Sequence, residues 1–128
     1  MWCMIQRGLL IALMLSTALA AGFAQQPPAA KSLYVVTIID VIPPPGGLGP
    51  VDALLRQFAT DSRKDAGCTR FEVVRQQGRA NHYMILALWD SQADFDAHTG
   101  APHTRTFREK LQPSLGSPFD ERVNESMQ

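Results

Sequence analysis

The stretch HYMILALWD, residues 82–90, decides how this chain folds. In a strand, successive side chains point to opposite faces. Met84, Leu86 and Leu88 then share one face, and Tyr83, Ile85, Ala87 and Trp89 share the other. Both faces are apolar. An antiparallel sheet with one face in water alternates apolar with polar instead. This strand therefore needs cover on both sides. LYVVTIIDVI, residues 33–42, is rich in β-branched residues and is apolar on both sides in the same way.

Working outward, CTRFEVVRQQ (68–77) is predicted to be the strand before it, with Phe71 and Val73 on one face and Arg70 and Glu72 on the other. GRAN supplies the turn, so 68–90 forms a β-hairpin. PPPGGLG ends the first strand, because proline cannot donate to a ladder and glycine turns the chain. PVDALLRQFATDSRKDAG, from Pro50, is an amphipathic helix: Val51, Leu54, Leu55 and Phe58 follow the i, i+3, i+4, i+7 pattern. Gly67 is expected to cap its C-terminus, with Arg63 and Lys64 near the negative end of its dipole. SQADFDAH starts a second helix with Ser91 as N-cap, TGAP interrupts it, and a helix restarts at Pro102. A short strand is expected around Phe119 to Val123.

The order β-α-β-β-α-β implies an α+β, ferredoxin-like fold: an antiparallel sheet with helices on one face. Two helices cover only one of the two apolar faces. Burial is worth roughly 25 cal/mol per Å², and the simplest cover for the second face is the sheet of another copy. The expectation is a homodimer forming a dimeric α/β barrel.

The first residues are expected to leave the mature protein. MWCMIQRG carries one Arg and precedes the apolar run LLIALMLSTALAAGFA, which ends in small residues. This is the pattern of a secretory signal, with cleavage expected after Ala24. The division is then 1–24 signal peptide, 25–32 flexible leader, 33–124 folded domain and 125–128 tail. The apolar core is shorter than the ~20 residues of a membrane span, so no stable span is expected after cleavage. The destination is the periplasm or the exterior. Cleavage removes Cys3 and leaves Cys68 without an intramolecular disulfide partner. The formal net charge of zero, without a basic stripe, gives no reason to expect nucleic acid as a partner.

The candidate chemistry gathers in FDAHTGAPHTRTF, residues 95–107. His98 and His103 flank a Gly-Ala-Pro break, which argues against a metal motif on one uninterrupted helix. No metal is expected. No nucleophile elbow, phosphate loop, flavin, nicotinamide or iron–sulfur signature is present, and Cys68 suits packing at a helix-to-strand junction. What remains is a pocket-like set. Phe71, Tyr83, Trp89, Phe95 and Phe107 can line an apolar cavity, and His98, His103 and Arg70 can supply directed polar contacts.

DAGCTRFEVVRQ, followed by NHYMILALWDSQADFDAHTGAPHTRTF, resembles the antibiotic biosynthesis monooxygenase family, quinol monooxygenase-like, from about Leu33 to Leu115. Gly67-Cys68 leading into Arg70-Phe71, Trp89 ending a strand, and the spaced Ala97-His98, Pro102-His103 and Phe107 carry the likeness. It departs from many relatives at Ala87, where they carry Glu. The resemblance implies a dimeric ferredoxin-like α+β barrel and a small quinol-like or polyphenolic aromatic substrate oxidised by O₂ with no cofactor, neither metal nor flavin. His98 or His103 would accept the proton, Arg70 would stabilise anionic charge, and Phe71, Trp89 and Phe107 would form the wall, with Tyr83 and Phe95 as further substrate contacts. Two alternatives stand beside it. One is a non-enzymatic small-molecule binding or stress protein. The other is a haem-binding or haem-degrading relative with His98 or His103 as axial ligand.

Overall fold

A computed structural model describes residues 31–127. The signal peptide, nearly all of the leader and Cys3 lie outside the described residues. The elements run β1 (Leu33–Asp40), α1 (Gly49–Ser62), β2 (Cys68–Arg75), β3 (His82–Trp89), α2 (Gln92–Gly100), α3 (Pro102–Leu111) and β4 (Asp120–Glu125), with a 3-10 turn at Gln112–Ser114. The four strands form one antiparallel sheet in the order β2-β3-β1-β4. This is the ferredoxin-like α+β arrangement expected from the sequence.

The alternation in β3 sorts the sheet into two faces. Tyr83, Ile85, Ala87 and Trp89 are buried beneath the helices, as are Val35, Thr37 and Ile39 of β1. Phe58 of α1 joins the layers: its ring stacks on Phe107 of α3 with centroids 3.8 Å apart and meets Phe71 of β2 edge-on at 5.4 Å. The edge-on contact with Phe71 suits the ring quadrupoles, and both contacts bury apolar area.

On the other face the cross-strand register lays down three rows. Reading from β2 to β4 they are Arg70–Leu88–Tyr34–Asn124, Glu72–Leu86–Val36–Arg122 and Val74–Met84–Ile38–Asp120. The two central strands are apolar in every row, and charge and amide rim them except at Val74. Among the described residues Tyr34 is 48% exposed, while Val36, Ile38, Met84, Leu86 and Leu88 are half-buried.

Two boundaries differ from the sequence expectation. First, α1 stops at Ser62, five residues before Gly67. The chain turns there, Lys64 and Asp65 donating backbone hydrogen bonds to Asp61 and Ser62, and Arg63 Nε donates to the Phe71 carbonyl at 2.9 Å. Gly67 is therefore not the helix cap. Its φ of +76° belongs to the turn into β2, and a methyl group built on it would overlap the Asp94 carboxylate. Second, the last strand begins at Asp120, not Phe119, whose ring instead packs under the Arg108 guanidinium at 4.8 Å.

Candidate active site

The helix break in 95–107 is what brings the two imidazoles together. Ser91 caps α2, its hydroxyl accepting from the Asp94 N–H at 3.1 Å and donating to the Asp94 carboxylate at 2.7 Å. The helix ends at Gly100, Ala101 turns the chain in extended conformation, and Pro102 opens α3. His98 thus lies in the last turn of α2 and His103 in the first turn of α3, with ring centroids 5.8 Å apart.

Asp65, from the turn after α1, comes between them. Its Oδ2 lies 2.7 Å from His98 Nδ1 and 2.9 Å from His103 Nε2. The first contact is a hydrogen bond. The second is a close approach in which Nε2, although buried, is out of line for one. Thr104 Oγ1 stands 3.5 Å from His98 Nδ1. His98 is only 4% exposed, whereas Asp65 and His103 keep about a fifth to a quarter of their side chains open, at 21% and 24%.

His98 is surrounded by rings. Its centroid is 4.6 Å from Trp89, 5.6 Å from Phe58 and 5.8 Å from Phe71. Burial among them pushes the imidazole pKa down, and the Asp65 hydrogen bond opposes this only in part. A neutral ring beside a carboxylate donates through Nδ1–H, which leaves the lone pair on Nε2. Trp89 is wholly buried, yet its indole N–H has no acceptor among the described residues. An unpaired buried donor costs roughly 1–3 kcal/mol. The tryptophan whose ring lies beside the imidazole therefore carries an uncompensated polar group.

The residues singled out in the sequence do not all meet here. His98, Trp89, Phe71 and Phe95 do, and Phe107 closes the stack through Phe58. They form packed core around the histidine. His103 also borders a hollow of about 240 Å³ with Leu54, Phe58, Pro102 and Phe107.

Arg70 is a correction. It pairs with Glu72 at 2.8 Å on the uncovered face, so the sheet separates it from both histidines within the chain. Tyr83 is another. It shares the helix-covered face but lies six residues along β3 from Trp89, roughly 20 Å at strand rise, where its hydroxyl donates to Asp52 at 2.7 Å beside Arg75. Ala87 is buried on the covered face and leaves no carboxylate there. Cys68 donates weakly to the Arg70 carbonyl at 3.6 Å, and burial raises its thiol pKa, which suits packing and not nucleophilic attack.

Sequence reasoning missed Asp65. The signal available was an acid two residues before the Gly67-Cys68 pair.

The arrangement has relatives. The structure superposes on PA3566 from Pseudomonas aeruginosa with a TM-score of 0.70 at 17% identity, covering 78% of this chain and 98% of that one. It superposes on SnoaB, a cofactor-independent oxygenase from Streptomyces nogalater, with a TM-score of 0.66 at 16% identity, covering 77% and 96%. At these identities the likeness is one of fold. The uncharacterized protein sll1783 of Synechocystis sp. is 25% identical over 71 residues, which make up 56% of this chain. That match takes in 48% of the relative, so the chain spans about half the length of the curated relative it matches. Antibiotic biosynthesis monooxygenase is the family whose model matches residues 34–110, more than half of the chain. The chain belongs to the antibiotic biosynthesis monooxygenase family.

Proposed function

We propose that this protein is a cofactor-independent monooxygenase that oxidises a small quinol-like or polyphenolic aromatic with O₂. The observation that carries the proposal is the buried His98 ring, tethered by Asp65 and set 4.6 Å from a tryptophan whose indole N–H has no partner among the described residues. His98 takes the phenolic proton on Nε2, and Asp65 stabilises the imidazolium that results. The electron-rich anion then reduces O₂ directly. One oxygen atom enters the ring and the other leaves as water with two hydrogens of the substrate. The Trp89 N–H supplies a hydrogen bond to the substrate oxygen as charge develops. Substrate reaches this centre by displacement of the α2–α3 junction, where Gly100 and Pro102 interrupt the helix.

The test is oxygen uptake by chelator-treated protein across hydroquinones, naphthols and anthrones. Substrate-dependent uptake is expected, and His98→Ala lowers kcat by roughly 10²- to 10⁴-fold. No turnover across the panel sinks the proposal and leaves the non-enzymatic binding protein standing.

Two further parts belong to the same proposal. The protein is a homodimer whose sheets meet across the rows centred on Leu86 and Val36. An apolar centre with a polar rim is the make-up of an interface. The protein is also exported to the periplasm or the exterior, which the sequence before Ala24 supports. Among the described residues no helix is long and apolar enough to cross a membrane. An uncleaved N-terminus, or protein confined to the cytoplasm on fractionation, contradicts export; a mature N-terminus at Gln25 is the expected result.

A further inference from the structure

We infer that Asp65, His98 and His103 form a site for one divalent transition-metal ion of the zinc class. Each residue offers one ligand atom, and these three atoms all lie within 4.8 Å of one another. They come from three places in the chain: the turn after α1, the end of α2 and the start of α3. Two nitrogens and one carboxylate oxygen suit zinc, cobalt or nickel, whereas calcium and magnesium favour oxygen alone.

A pair of ordinary histidine–aspartate hydrogen bonds explains only half of this geometry. His98 Nδ1 meets Asp65 Oδ2 in line at 2.7 Å. His103 Nε2 comes to 2.9 Å from the same oxygen, is buried, and is out of line for a hydrogen bond. A nitrogen held near that oxygen is satisfied by an ion that both bind once they have moved apart.

Tetrahedral zinc at ~2.0–2.2 Å from each ligand sets its ligand atoms about 3.3 Å apart. The two short contacts must therefore open by about half an ångström. Asp65 stands on a turn with 21% of its side chain exposed, so its carboxylate has room to rotate. Three protein ligands leave the fourth position open. The exposed sides of Asp65 and His103 give the ion its way in.

The inference concerns the resting protein and does not need the oxygenase to exist. Were both to hold, the ion and the phenolic proton would compete for the same histidine.

The experiment uses chelator-stripped protein without substrate. Zinc is titrated against a chromophoric competitor, and cobalt(II) is added separately as a spectroscopic probe. The expected result is one zinc per chain and visible cobalt bands of a low-coordinate site. His103→Gln and Asp65→Asn each weaken zinc binding more than tenfold, and His82→Gln leaves it unchanged. Circular dichroism checks that each variant is folded. For any variant that is not, ¹⁵N resonances of His98 and His103 in the wild-type protein replace it, and both shift on adding zinc. Stoichiometric binding that survives His103→Gln in full, equal weakening by His82→Gln, or histidine resonances that do not move overturns the inference.

Discussion

The two faces of the sheet are built from the same alternating strands and end differently. Beneath the helices, Trp89 and Ile39 are fully buried and Phe58 bridges α1, β2 and α3. On the other face, Leu86 and Leu88 are half-buried and Tyr34 is 48% exposed, with no described element of the chain above them. The apolar content is similar, so hydrophobicity alone does not distinguish them. The difference lies in the polar groups. The covered face carries its polar side chains inward, where burial alters their chemistry. The uncovered face carries them at its rim, where water and mutual pairing neutralise them. The buried imidazole of His98, with its lowered pKa, lies on the first.

The sharpest way to break this contrast is Trp89→Ala. It empties a large volume among Phe95, His98 and β3, and is expected to cost about 3–5 kcal/mol in denaturant unfolding. A cost below about 1 kcal/mol would mean that this face is not the rigid one. Next in size is Leu86→Asp on the uncovered face. It is expected to convert the proposed dimer to a folded monomer in sedimentation, with the far-ultraviolet spectrum retained. If Leu86→Asp remains dimeric, the pairing lies elsewhere.

The smallest effect is one of pH, and it separates the faces by window. The His98 pKa is lowered in the folded protein, so the unfolded chain binds the proton more readily. Stability is therefore full above the unfolded value of about 6.5 and declines as the pH falls below it. Asp40, on the uncovered face, has its pKa lowered first by the hydrogen bond with His82. Its contribution is present above about 3.8 and is lost only at more acid pH. His98→Asn should flatten the upper limb of the stability profile and Asp40→Asn the lower. If each variant changes the other limb instead, the assignment is reversed.

Much of the fold was legible because it rests on local periodicity. The two-step pattern of 82–90 gave both the strand and its two apolar faces, and Ser91 and Pro102 marked helix starts that the structure keeps. The site was legible only where it follows that same alternation. Trp89 and Phe71 share a face with the helices, and the Gly-Ala-Pro break does bring His98 and His103 together. Arg70 could have been excluded on the sequence, since alternation opposes it to Phe71. Its chemical suitability as an anion partner outweighed its direction. Asp65 was hidden for another reason. Its role depends on α1 stopping at Ser62, and that stop is enforced by contacts such as Arg63 with the Phe71 carbonyl, eight residues on. Tyr83 likewise finds Asp52 across 31 positions. No local pattern encodes such a partner.

The outermost strands have a consequence for how the protein behaves when crowded. β2 presents Thr69, Arg70, Glu72 and Arg75, and β4 reads DERVNE. Unpaired ladder groups at a sheet edge are templates for another chain, and charge along them discourages that docking. Here both borders carry charge of both signs, while the apolar surface lies flat between them. Charged borders discourage end-to-end strand addition, which has no natural limit, whereas the proposed contact across the sheet is complete with one partner. For a chain rich in β-branched residues, that charge is a guard against growth into fibres.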